Sequence, residues 1–324
     1  MLRGPLYRDG YPPQLSGHET FPIRYGWLKK AFDAVQGTVD EEDNRQVFTG
    51  PDAIARFGVG KNMVASMRHW ATVTGIIEED PARRHISTTS LGRLIFSDGG
   101  LDPYMEHPAT AWLLHWHLCG RDTKTTWFWA FHHYPSVSFE RDTLVQGIQK
   151  LAEEREWPRA SVDTIRRDVS CFIRTYVVQA PSGVGGYEDG LESPLTELGL
   201  IKATGRRDGF RFVRGSKPSL GPGVFGYAVT DYWQQHFPSA NTLSFESLTH
   251  EPGSPGRAFL LEENDVVDML TALEDVSRGV YQWSETAGLK QLIRRQPVSE
   301  AETTEWLQKD HLHYGQLELS RAFG

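Results

Sequence analysis

Residues 51–87, PDAIARFGVGKNMVASMRHWATVTGIIEEDPARRHIS, carry the pattern that decides the fold. Apolar spacing predicts a short helix over 52–57, a turn at Gly58-Val59-Gly60 and a longer helix over 61–74. Two glycines around one apolar residue let the chain reverse between helices without a Cβ penalty. Gly75-Ile76-Ile77 then starts a strand, an acidic-then-basic turn holds Pro81, and residues 86–89 form a polar, β-branched strand. Helix, tight turn, helix and two-stranded hairpin is the order of a winged helix-turn-helix.

The longer helix sorts its side chains accordingly. Val64, Met67, Trp70 and Ala71 share one face, which turns to the core. Lys61, Asn62, Ala65, Ser66, Arg68 and His69 fall on the other. Lys61, Asn62, Ser66 and Arg68 are donors suited to phosphates and base edges, and Arg83 and Arg84 stand at the hairpin tip, where a wing meets a backbone or minor groove. The plainer alternative is a helical hairpin with a solvated polar face.

Working outward, residues 101–135 are rich in aromatics, with ATAWLLHWHLC from Ala109 and TWFWAFHHY from Thr126. His115, His117, Cys119, His132 and His133 have no spacing that fits a zinc module, so aromatic packing with satisfied histidines is the reading adopted. Residues 136–217 repeat the helix-pair pattern. Ser138 is placed to cap a helix carrying Phe139, Leu144, Ile148 and Leu151. The next, over 160–178, sets Val162, Ile165, Val169, Phe172 and Ile173 against Arg166, Arg167, Ser170 and Arg174. A glycine-rich loop leads to short apolar runs interleaved with Arg206, Arg207, Arg211, Arg214 and Lys217, as in a basic β-hairpin. This second winged-helix-like module adds Arg166, Arg167, Arg174, Arg206, Arg207 and Arg211 to the candidate DNA contacts, against the alternative of a solvated basic surface. Residues 223–320 read as mainly helical and acidic, including a helix over 283–295 that ends in Lys290, Arg294 and Arg295.

Charge follows the same division. The chain carries −8 overall, but residues 1–100 hold 12 basic and 12 acidic side chains, 155–217 hold 11 and 8, and 218–324 hold 7 and 15. Any DNA face is therefore local to residues 1–100 and 155–217, and the acidic end repels phosphate or meets a protein. The 39% hydrophobic content is ample for a core, and two cysteines in 324 residues argue for a reducing, cytoplasmic setting. No apolar run reaches the ~18–20 residues of a membrane span, and the N-terminus lacks the apolar stretch of a signal peptide.

Ahead of the first helix pair, residues 16–30 read SGHETFPIRYGWLKK. Pro22 ends an extended segment and residues 23–35 continue as an amphipathic helix. His18, Glu19 and Arg24 lie within seven residues. A His–Glu pair beside an Arg suits phosphodiester chemistry, and equally suits a polar network that seats the helix on its neighbour. The arrangement of GHETFPIRYGWLKK, the helix-turn-helix, SPGRAFLLEE (254–263) and ETAGLKQL (285–292) resembles the domain-of-unknown-function family 4007 over roughly residues 15–315. That family includes the SspB component of bacterial single-strand DNA phosphorothioation systems. The resemblance implies a DNA-nicking role that accompanies backbone sulfur modification and anti-phage defence, with other proteins of the system as partners. It assigns no catalytic set.

Other chemistries are excluded by motif. The glycines at 183–186 lack the following Gly-Lys-Ser/Thr of a P-loop, and neither a dinucleotide fingerprint nor a Gly-x-Ser-x-Gly elbow occurs. Asp189, Glu192, Glu197 and Lys202 have only generic spacing for a metal nuclease. The expected architecture is mainly α with short β-hairpins (α+β). It comprises an N-terminal arm and winged helix-turn-helix (1–104), an aromatic connector with a second winged-helix-like module (105–222) and an acidic helical domain (223–324). The expected function is double-stranded DNA binding, with nicking by family resemblance. His18, Glu19 and Arg24 are the catalytic candidates, and a divalent metal such as Mg²⁺ is the cofactor if the chain is a nuclease. The alternatives are a non-catalytic DNA-binding subunit or transcription regulator that docks partner proteins, and a protein-interaction scaffold.

Overall fold

The computed structural model describes residues 4–38, 43–178, 193–205, 208–286 and 288–322, with side chains of the last helix up to residue 312. After a 3-10 turn at Pro5–Tyr7, the first segment holds α1 (Trp27–Gln36), α2 (Gln46–Thr49), α3 (Ala53–Phe57), α4 (Lys61–Val73), the hairpin β1 (Ile77–Asp80) and β2 (His85–Thr88), and α5 (Ser90–Phe96). Gly58 closes α3 at φ 69, the left-handed conformation that favours glycine, and Gly60 caps α4 in an extended conformation. The hairpin pairs Ile77 with Thr88 and Asp80 with His85. Val64, Met67, Trp70 and Ala71 are all buried, so the helical periodicity chose the core face correctly.

The aromatic stretch forms α6 (Pro108–Cys119) and α7 (Thr125–His132), buried along their whole length. A helix apolar on every side must be packed on every side. Trp127 meets Trp70 of α4 edge-on at 5.7 Å, and Trp112 and Trp116 meet Phe259 at 5.6 and 5.8 Å. The connector is therefore a hub on which the rest of the chain is assembled.

Two further segments share one topology. The first runs β3 (Ser138–Glu140), α8 (Arg141–Glu154), α9 (Val162–Tyr176), a 3-10 turn (Pro194–Leu198), β4 (Ile201–Ala203) and β5 (Gly209–Phe212), with sheet order β3-β5-β4. Ser161 starts α9 by accepting the Thr164 N–H, and Trp127 and Phe131 of the hub pack on Phe172. Ser138 itself lies in β3, and Glu140 caps α8 instead. The second runs α10 (Pro222–His236), β6 (Thr242–Ser244), α11 (Phe245–His250), α12 (Pro255–Ala258), α13 (Glu263–Val276), β7 (Tyr281–Thr286), β8 (Leu289–Arg294) and α14 (Glu300–Ala322), with sheet order β6-β8-β7.

The third segment corrects the sequence reading. Residues 283–295 are not a helix but most of a hairpin, paired from Tyr281↔Arg294 to Thr286↔Leu289. Gly288 turns it at φ 78, and Tyr281 and Leu292 anchor its buried face. Lys290, Arg294 and Arg295 therefore lie on a strand and its exit. The segment expected to be mainly helical also carries a three-stranded sheet.

Candidate functional site around residues 17–21

The GHET motif is a tight turn wedged between α4 and α9. Gly17 sits at φ 99, and a Cβ there would fall 2.4 Å from His69 Nδ1, so both conformation and space call for glycine. Glu19 and Thr20 adopt left-handed φ of 46 and 67, a strained choice for residues with side chains. Hydrogen bonds from both helices hold it. Ser66 Oγ of α4 donates to His18 O at 3.0 Å, Trp70 Nε1 to Phe21 O at 3.0 Å, and Cys171 Sγ of α9 to the same oxygen at 3.4 Å. Arg174 Nη2 of α9 donates to Thr20 O. Glu19 and Thr20 are the exposed tip of this turn.

Beneath the turn lies a buried ionic network. His18 Nδ1 accepts the Thr20 N–H at 3.0 Å, which leaves Nε2–H to donate to Asp168 Oδ1 at 2.7 Å. Lys124 Nζ, with no exposed side-chain surface, reaches the same carboxylate oxygen at 3.3 Å and Ser16 O at 3.4 Å. Burial alone would raise the Asp168 pKa, but the Lys124 charge and the His18 hydrogen bond outweigh it and hold the carboxyl below its ordinary value. His69 is kept neutral, first by burial and then by the Lys124 charge, with its pKa well below the usual histidine value. Arg24 is buried too, its guanidinium carbon 5.5 Å and 5.3 Å from the ring centroids of Phe21 and Trp27.

Beside the turn, the outward face of α4 opens on a cleft of about 1070 Å³. Residues 11–17 and 48–54 wall it, and Lys61, Ala65, Arg68 and His69 lie along its floor. Arg68 is tied across it to Glu79 of β1 by two bonds of 2.8 and 2.5 Å, which lower the Glu79 pKa.

Residues 15–311 match the family described as "Protein of unknown function (DUF4007)". Two solved structures are similar over 92% of this chain and 86% of theirs, each at 32% identity: a magnesium ion-bound SspB with a TM-score of 0.76, and SspB with 0.75. No curated protein matches the sequence. The chain belongs to the DUF4007 family. Among its described residues, no three His, Cys, Asp or Glu side chains gather closely enough to hold a metal ion, so the divalent cation expected of a nuclease finds no ready ligand set among them. Asp189 and Glu192 lie outside the described residues. No described helix is long and apolar enough to cross a membrane.

The candidate residues divide by environment in this DUF4007 chain. Lys61, Asn62, Arg167 and Arg211 are exposed and make no ion pair among the described residues. Arg83, Arg84 and Arg166 are exposed but paired, with Asp80 at 3.5 Å, Asp43 at 2.9 Å and Asp163 at 3.6 Å. Arg174 is committed to the turn, and Arg206 and Arg207 lie outside the described residues. Ser66 is a correction. It is fully buried under the His18 carbonyl, because the turn covers that arc of α4, and it cannot reach a duplex. His18 is a catalytic candidate by sequence, yet both its ring nitrogens are engaged inside the protein. Arg24, a second candidate of that group, is packed against the rings of Phe21 and Trp27. The geometry of both is that of the polar network seating a helix.

Asp168 and Lys124 escaped the sequence reading, and His69 entered it only as one of the outward residues of the longer helix. Asp168 left a signal. It interrupts the apolar stripe of α9 between Ile165 and Val169, and a carboxylate on a core face demands a buried partner. Lys124 left none beyond its place just before an aromatic run.

Proposed function

We propose that the chain is a duplex-DNA-binding component of a bacterial DNA phosphorothioation system. In this reading it holds the duplex across two winged helix-turn-helix units so that one strand can be nicked for sulfur modification. The carrying observation is the GHET turn, hydrogen-bonded to α4 on one side and α9 on the other. It locks the two helices that present Lys61, Asn62 and Arg167 around one exposed tip. The helix–turn–helix–hairpin order of the first segment and the strand order β3-β5-β4 of the second support the winged-helix reading. Lys61, Asn62, Arg167 and Arg211 contact the duplex first; phosphate contacts of this kind fix register and orientation. Arg83, Arg84 and Arg166 join by exchanging a carboxylate for a phosphate.

For nicking, Glu19 is the member of the His18, Glu19, Arg24 group whose side chain reaches solvent, so it is the one able to move a proton at a bound strand, with His18 as a positioning residue beneath it. The acidic third segment meets the other proteins of the system. A purely binding role, as a non-catalytic subunit or regulator, is favoured by the burial of His18 and Arg24.

The test is duplex binding by fluorescence anisotropy across a salt series, with plasmid relaxation with and without Mg²⁺. Lys61→Ala with Arg167→Ala is expected to weaken binding and flatten the salt slope by roughly two, because each phosphate contact releases a counterion. Glu19→Gln is expected to abolish relaxation with affinity unchanged. Absence of duplex binding by the unaltered chain sinks the proposal. Binding without relaxation under either condition leaves the non-catalytic subunit.

A further inference from the structure

A second cavity, of about 420 Å³, lies where the two segments of shared topology meet. Arg214, which follows β5, lines it together with Thr249 and His250 of α11, Arg257 of α12, and Glu262 and Glu263 at the start of α13. Arg257 belongs to the SPGR run that the sequence singled out and that the site above leaves unused. Gly256 allows this turn to press on α11, since a Cβ there would fall 2.7 Å from Thr249 Cα.

Arg257 is fixed before any ligand arrives. Its Nε donates to His250 O and its Nη1 to His132 O at 2.7 Å, so two backbone carbonyls orient the guanidinium and neither neutralises it. Arg214 is exposed and makes no ion pair among the described residues, and neither does Arg257. Burial and then the Arg214 charge lower the Arg257 pKa, so the two cations act on each other. The nearby acids are engaged elsewhere. Glu262 and Asp265 form a capping box at the start of α13, the Glu262 side chain accepting the Asp265 N–H and its own N–H donating to Asp265 Oδ2, and Glu263 faces His250 Nε2 at 3.2 Å. Thr249, 3% exposed, holds a hydroxyl with no hydrogen-bond partner.

Two guanidinium groups that line one cavity, neither of them ion-paired among the described residues, repel each other until an anion lies between them, and an oriented fork is the group that binds an oxyanion most strongly. We propose that this cavity binds a phosphate group, with Arg257 as the fixed fork, Arg214 as the second cation and the Thr249 hydroxyl as a further donor. The phosphate belongs either to a nucleic-acid backbone or to a small phosphorylated molecule. Only the first source rests on the DNA reading above.

Thermal unfolding of the full chain in inorganic phosphate, against chloride at equal ionic strength, tests the site. A ligand of the folded state raises the midpoint. Arg214→Gln, an exposed substitution that leaves the Arg257 clamp in place, is expected to weaken phosphate binding about tenfold, the scale of one charge-assisted hydrogen bond. No shift in the unaltered chain, or an equal shift in Arg214→Gln, overturns the proposal. A lower salt slope for duplex binding in Arg214→Gln identifies the backbone as the source. An unchanged slope with loss of mononucleotide binding identifies a small molecule. Phosphate stabilisation of a chain that binds no duplex refutes the DNA reading and leaves the site standing.

Discussion

Helices α9 and α13 hold the same place in two copies of one topology and present opposite charge. Each follows a strand and an earlier helix and precedes a hairpin whose second strand is central. The outward side of α9 carries Arg166, Arg167 and Arg174, whereas α13 carries Glu263, Asp265, Asp268, Glu274 and Asp275. The inward faces are alike in kind, Ile165, Val169 and Phe172 in one and Val266, Leu270 and Leu273 in the other. Apolar spacing sets the topology, and the exposed side chains, which contribute little to it, are left to set the partner. A phosphate-rich surface suits the first helix and is repelled by the second.

The comparison also contains an exception. Asp168 is an acid on α9, but it is buried beneath the GHET turn, while Asp268 of α13 is exposed. Asp168→Ala leaves Lys124 and His18 in the interior without their carboxylate and is expected to destabilise the chain by about 3–5 kcal/mol. Asp268→Ala should change stability by less than about 0.5 kcal/mol. Denaturant unfolding of the two variants measures this contrast, and equal losses would mean that the buried network does not secure α9.

Acid should act on the shared hub. Burial holds the pKa of His107, His115 and His133 at about 4 and that of His117 at about 3, below the ordinary histidine value of 6.5. Below pH 6.5 the unfolded chain takes up protons that the folded chain refuses, so stability falls as pH drops from about 6.5 toward 4. Because α6 and α7 support both repeats, the two should lose structure together. Hydrogen exchange at pH 5 that released the third segment while α9 stayed protected would break the parallel.

The smallest effect sharpens the charge contrast. Arg83→Ala removes a cation that is already paired with Asp80, so it should weaken duplex binding less than Arg211→Ala, whose cation has no such partner among the described residues. Anisotropy at low salt separates the two, and the reverse order would show that the first hairpin, not the second, lies nearer the duplex.

Much of this was legible in the sequence where one period prevailed. Val64, Met67, Trp70 and Ala71 gave α4 and its buried face, and Gly58 gave the turn before it. The hairpin over 281–294 was missed because its basic residues resemble the last turn of a helix; Gly288, between two short alternating runs, was the available sign of a turn. Sequence also brought His18, Glu19 and Arg24 together as a group. It could not divide them into buried supports and an exposed tip, since that depends on what covers them.

By itself, then, the sequence determined the family, the helix pairs and the blocks of charge, all of which follow from local order along the chain. Only the tertiary structure decided that Asp168, 150 residues from His18, would be its partner, that Ser66 would be spent on a carbonyl, and that Arg214 and Arg257 would share a cavity. These are outcomes of packing between distant segments around the α6–α7 hub, where burial makes a polar group take whichever partner the fold brings to it.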